Sequence, residues 1–149
     1  MNLEEILYRE EIVLASIGRR AMAFLLDRIL ISFVFTLIYW NEFSALSGSY
    51  LQVVNFFYEV ILQFLLLNFT YETLFTALYG ATLGKIACKI KVISTSLLDH
   101  PNILFSCIRS AMKILGEYFI YIPFLLIYFT PFKQTLHDLL GKTIVIKYA

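Results

Sequence analysis

The sequence predicts an all-α integral membrane protein with two full transmembrane helices, a third, broken hydrophobic region that is a hairpin or a single span, and a small cytoplasmic β-strand pair. Three observations point there. The 149 residues are 60% hydrophobic and only 15% charged, with a mean hydropathy of +0.77; water-soluble domains sit nearer half apolar and a quarter charged. The apolar residues fall in runs long enough to cross a hydrocarbon core roughly 30 Å thick. Two short β-branched pieces, Lys89 to Ser94 and Thr143 to Tyr148, interrupt that pattern. Such a composition argues against a soluble enzyme. The formal net charge of +1 supplies no global field to hold nucleic acid.

Residues 1–18 place Leu3, Ile6, Leu7 and Leu14 at helical spacing among Glu4, Glu5, Arg9, Glu10 and Glu11. They read as a cytoplasmic interfacial helix, followed by one membrane domain over residues 19–149. A secretory signal needs a basic start, an apolar run and a small-residue cleavage site in that order, so the first span is expected to be a retained anchor. That span runs from Ala21 to Trp40, with Tyr39 and Trp40 at its far interface. The following segment, Asn41 to Tyr50, is polar and carries Glu42 but no Lys or Arg, as expected of an outer loop. The second run, Leu51 to Tyr79, is about 43 Å long as one helix. It must tilt, project or break.

Residues 80–113 hold five of the chain's twelve basic residues, Lys85, Lys89, Lys91, Arg109 and Lys113, against the single acid Asp99. The positive-inside rule makes this segment cytoplasmic, and with it the N-terminus. Isolated strands cannot leave open edges in lipid, so the two β-branched pieces are expected to pair with each other on one side. A single crossing by the third apolar stretch, Ile114 to Phe132, would separate them. Gly116, Glu117 and Pro123 interrupt it, and Pro123 prevents one continuous ladder. Two half-helices that dip in and return leave Lys133, Lys142 and Lys147 inside.

Cys88 and Cys107 lie in the basic segment, and no disulfide is expected there. His100 and His137 belong to different segments, so no metal is expected, and no cofactor motif or nucleophilic triad can be named. Gly80 to Lys85 looks like a nucleotide loop only superficially. Three residues separate the glycines, and Ile86 follows Lys85 where Ser or Thr is required. It reads as a turn leaving the membrane, with Lys85 at head-group level. Asp138 is expected to cap a turn or pair with an arginine.

The intramembrane charges carry the functional signal. Seven residues rotate a helix by about 700°, nearly two turns, so Arg20 and Asp27 share a face about 10 Å apart. Asp27 has two readings: a structural ion pair with Arg20, Arg28 or Arg109, or a proton or cation site whose pKa an arginine sets. In the second run Asn55, Glu59 and Gln63 form one polar stripe, and Asn68, Glu72 and Thr76 form another offset by about 140°. One stripe is expected to face the first span, and the other a partner chain or the broken hairpin; Glu72 approaches Asp27 in depth.

The motifs GRRAMAFLLD (Gly18 to Asp27), GATLGKIACKIKV (Gly80 to Val92), Arg109 at the opening of the third region, and HDLLGKTIVI (His137 to Ile146) occur in an order that resembles the RDD family of small prokaryotic membrane proteins. The resemblance implies that Arg20, Asp27 and Asp138 are the arginine and two aspartates of the family's name, and that Gly80, Thr82, Gly84 and Lys85 form its glycine-lysine turn. It also implies a multi-pass protein of the prokaryotic plasma (inner) membrane, and cation–proton exchange, a role proposed for some members. Arg19 makes the arginine a doublet here, and Arg28 follows the first aspartate.

The expected function is therefore a non-enzymatic transport or cation/proton exchange component using Arg20, Asp27 and Glu72, with Arg109 and Asp138 in the same charge group. The alternative is a non-transporting membrane scaffold or assembly factor. Its partners are the lipid bilayer and, if a pathway exists, further copies of itself. A cavity reaching Asp27 favours transport; a dry core with a large exposed apolar face favours the scaffold.

Overall fold

A computed structural model describes residues 3–148. A short helix α1 (Leu3–Arg9) precedes the long helix α2 (Ile17–Ile38). Ser16 caps α2 by accepting a hydrogen bond from the Arg19 backbone N–H, so the helix begins before the apolar run does. Helix α3 (Trp40–Ala45) lies in the loop leading to α4 (Tyr50–Tyr79). At 30 residues α4 is unbroken and about 45 Å long, so it meets the bilayer by tilting or projecting. Among the described residues, α2 and α4 are the two helices individually long and apolar enough to span. At the far end of the pair, Phe35, Phe56 and Val60 form a core against Tyr39, Phe43 and Phe64, with Phe35–Phe64 and Phe43–Phe56 packed edge to face.

Gly80 ends α4 in the left-handed conformation, φ +69°. Its carbonyl accepts from Val92 N–H at 2.6 Å, and a Cβ there would lie 2.9 Å from the Val92 carbonyl oxygen. Helix α5 (Leu83–Ala87) follows and packs across α2, then strand β1 (Ile90–Ser94). Gly84 sets that crossing: a Cβ on it would overlap the Ala23 carbonyl oxygen and lie 2.8 Å from the Asp27 carboxylate.

The third hydrophobic region is α6 (Ile103–Tyr118), capped by Asn102, and a 3-10 helix (Ile122–Tyr128) bent from it by 110°. The bend falls at Ile120 and Tyr121, both with positive φ. Pro123 sits in the first turn of the 3-10 helix, where a missing N–H costs nothing. The region thus breaks as expected, one turn ahead of the proline. Helix α7 (Leu136–Leu140) and strand β2 (Thr143–Lys147) follow.

β1 and β2 pair antiparallel, from Ile90 opposite Lys147 to Ser94 opposite Thr143. Leu14 bridges to Ile146 on the open side of β2. One sheet face, Ile90, Val92 and Val145, packs on Ala15 and Ala23. The other, Ile93, Ile144 and Ile146, is covered by Leu7 of α1 with Phe132 and Leu98. Buried on both faces, the sheet joins the start of α2, the exit of α4 and the return of the third region at one end of the molecule.

Candidate functional site

At that end lies a group of buried charges from five elements. Glu72 reaches in from α4, beside α6, and is 3% exposed. Its Oε1 accepts from Lys85 Nζ at 2.8 Å and Arg109 Nη1 at 3.0 Å, and its Oε2 from Lys113 Nζ at 2.8 Å. Arg109 and Lys113 lie one helical turn apart on the inner face of α6. Through Nε, Arg109 also donates to Asp138 Oδ1 at 3.1 Å, so its guanidinium bridges the two carboxylates. Asp138 Oδ2 accepts from Arg20 Nη1 at 2.9 Å. In addition it closes a capping box with Thr135 at the start of α7. Capping and arginine pairing, read from sequence as alternatives, coexist.

Asp27 differs from both. It is 6% exposed and accepts from Tyr71 Oη at 2.7 Å, Thr82 Oγ1 at 2.6 Å and Gly84 N–H at 2.9 Å. These are neutral donors, and the expected ion pair with Arg20, Arg28 or Arg109 is not formed. Arg20 turns instead to Asp138 and the Val145 carbonyl, and Arg28 pairs with Glu117 beneath the Phe24 ring. The Asn68 amide, with its oxygen toward Arg28, accepts from it at 2.9 and 3.1 Å. The glycine-lysine turn is more than an exit from the membrane: Thr82 and Gly84 hold Asp27, while Lys85 is buried against Glu72.

Burial lowers the Lys85 ammonium pKa to about 8, helped by the neighbouring Arg109 and Lys113 charges and opposed by Glu72. Burial likewise holds His137 at about 3, so the imidazole is neutral at physiological pH; Thr135 Oγ1 meets its ring. For Asp138 burial acts upward but is outweighed by the Arg109 and Arg20 charges and by the Thr135 N–H, which keep it well below the usual carboxylate range. Among the described residues no group of three His, Cys, Asp or Glu is placed to hold a metal. Cys88 and Cys107 are free thiols.

A cavity of about 300 Å³ opens onto this group. Arg20, Asp27, Lys85, Arg109 and Lys113 line its polar side, and Phe24, Tyr121, Phe124 and Tyr128 its apolar side. Of the two α4 stripes, Asn68, Glu72 and Thr76 are buried, whereas Asn55, Glu59 and Gln63 are exposed along the helix. Lys113, Tyr71 and His137 belong to the site although sequence reasoning did not select them. Lys113 had a usable signal, its one-turn spacing from Arg109; the other two are fixed only by tertiary contacts.

Two spanning helices, a bent hydrophobic pair and a sheet-capped cluster of buried ions define a small multi-pass membrane protein built around a charge network. The RDD family model matches residues 14–142, and the chain belongs to that family. No curated protein and no solved structure matches it.

Proposed function

We propose that this protein is a transport component of a prokaryotic plasma membrane, with its N-terminus cytoplasmic, and that Asp27 is its cation- or proton-binding carboxylate. One observation carries this reading. Asp27 lines the cavity as the buried carboxylate held by neutral donors alone, while Glu72 and Asp138 are matched by lysine and arginine. A carboxylate already paired to fixed cations offers little to a mobile ion; one solvated by hydroxyls and an amide N–H keeps its charge for a visitor. Arg20, Arg109, Asp138 and Glu72 then form the rigid frame around it, with no catalytic step.

So few spans rarely enclose a pathway, which favours a homo-oligomer. The exposed stripe of Asn55, Glu59 and Gln63 supports it, because lipid would leave those groups unmet. The test is gradient-driven flux in sealed vesicles. The wild-type protein is expected to couple a monovalent cation gradient to proton movement, and Asp27→Asn to abolish coupling while still folding, since Asn keeps the shape. Absence of wild-type flux across a panel of monovalent cations would transfer the assignment to a non-transporting scaffold.

A further inference from the structure

The charges facing the cavity do not cancel. Three buried cations, Lys85, Arg109 and Lys113, and the partly buried Arg20 line it, against one lining carboxylate, Asp27, and two that stand behind the cations, Glu72 and Asp138. Asp27 is turned to neutral donors, so the connected network itself holds four cations against two anions. Any proton taken up by a carboxylate enlarges the surplus. Arg28 and Glu117 neutralise each other, and His137 is uncharged. Uncompensated positive charge out of water is costly unless an anion joins it.

Donor capacity is also left over. Among the described residues, the Arg20 Nε–H is buried without a partner. Each lysine ammonium has three N–H groups, yet Lys85 and Lys113 each meet one acceptor oxygen. These donors come from three elements, α2, α5 and α6. A planar carboxylate presents two oxygens to such a set, whereas a tetrahedral phosphate presents three. Arg20 stands in the first turn of α2, at the depth where a spanning helix enters the head groups. The wall opposite is apolar and aromatic, with Leu125 and Tyr128 of the 3-10 helix exposed.

We propose that this cavity binds a phosphate group, set against Arg20, Lys85 and Lys113, with the aromatic wall accommodating the chain of a phosphate-bearing amphiphile. The inference goes beyond the transport reading and does not depend on it, because occupancy needs no gradient.

Purified full-length protein in nonionic detergent is titrated with dioctanoyl phosphatidic acid, with inorganic phosphate, with dioctanoylglycerol, and with potassium chloride at matched ionic strength, following the thermal midpoint. A saturable rise with phosphatidic acid and none with dioctanoylglycerol assigns a lipid head group; a saturable rise with phosphate beyond that with chloride assigns free phosphate. Lys113→Gln is expected to weaken the response at least tenfold. Should that variant fail to fold, Ala21→Phe, which fills the cavity rim and leaves every ion pair in place, is expected to block phosphatidic acid. No saturable response of the folded protein to either phosphate compound overturns the proposal, as does an equal response to dioctanoylglycerol and phosphatidic acid. Phosphate binding without flux defeats only the transport reading, and flux without phosphate binding defeats only this one.

Discussion

Arg109 is the side chain on which the ion network depends most, and its replacement by Met should be the most destabilising of the conservative cation changes. Arg109 is 2% exposed, and its guanidinium makes two charge-assisted hydrogen bonds, to Glu72 at 3.0 Å and Asp138 at 3.1 Å. Each is worth about 1.5–3 kcal/mol. Against that loss, Glu72 keeps Lys85 and Lys113, Asp138 keeps Arg20 and Thr135, and removing one cation relieves part of the positive surplus. The net cost should fall at about 3–5 kcal/mol, the usual range for breaking a buried ion pair. Lys113→Met loses one bond and removes a surplus cation, so it should cost about 1–2 kcal/mol. Arg109→Lys keeps the charge but cannot bridge two carboxylates with a fork, and should lie between the two. Reversible unfolding in mixed micelles gives all three values. A Lys113→Met cost equal to that of Arg109→Met, or a wild-type stability for Arg109→Lys, would refute the bridge.

Gly84→Ala should cost about 1–3 kcal/mol by overpacking and pry α5 from α2, because the new methyl meets the Ala23 carbonyl and the Asp27 carboxylate; unfolding and Cys88 labelling report it. Stability should fall as pH drops below 6.5. There the unfolded chain protonates His137 and the folded chain, with its value near 3, does not, giving a slope of about 1.4 kcal/mol per pH unit. Asp138, also lowered, is fully stabilising above its ordinary value and adds to the loss only at more acidic pH; His137→Gln should flatten the upper part of the profile. Cysteines placed at Glu4 and Lys147 should react with an impermeant thiol reagent from one side of the membrane and a cysteine at Gly48 from the other, since α1 and β2 meet at the sheet. Reaction of Lys147→Cys with the Gly48→Cys side would overturn the returning third region.

What sequence showed and what it hid divide along physical lines. Local patterns carried α2, α4, the strand pair and the break near Pro123, because apolar run length, β-branching and missing donors are properties of neighbouring residues. The strand pairing followed from open edges being untenable in lipid, and it favoured a returning third region over a single crossing. The partners of the charges were not local. Arg20 and Asp27 share a helix face, yet the chain brings Asp138 to Arg20 from 118 residues away and Thr82 to Asp27 from 55. Helical phase says which way a charge points but not what other elements bring to it. The GATLGK turn hides its role for the same reason: its glycines free the backbone, but only the α2–α5 crossing reveals that Gly84 lacks a side chain so that its N–H can reach Asp27.

That crossing also separates two kinds of buried carboxylate within one charged site. Glu72 and Asp138 are clamped by cations from α2, α5 and α6, and their ionisation is tied to the fold. Asp27 is held in place by Tyr71, Thr82 and Gly84, none of which carries a charge. Its position is therefore fixed without its charge being cancelled. Thr82→Val should test that division: it removes one donor to the Asp27 carboxylate, at about 1.5–3 kcal/mol of stability, and leaves every cation–carboxylate contact standing. If Asp27 is the responsive group, the variant's apparent affinity for the coupled cation in vesicle flux should change severalfold while the protein stays folded. An unchanged flux profile with the expected loss of stability would place Asp27 with the scaffold instead.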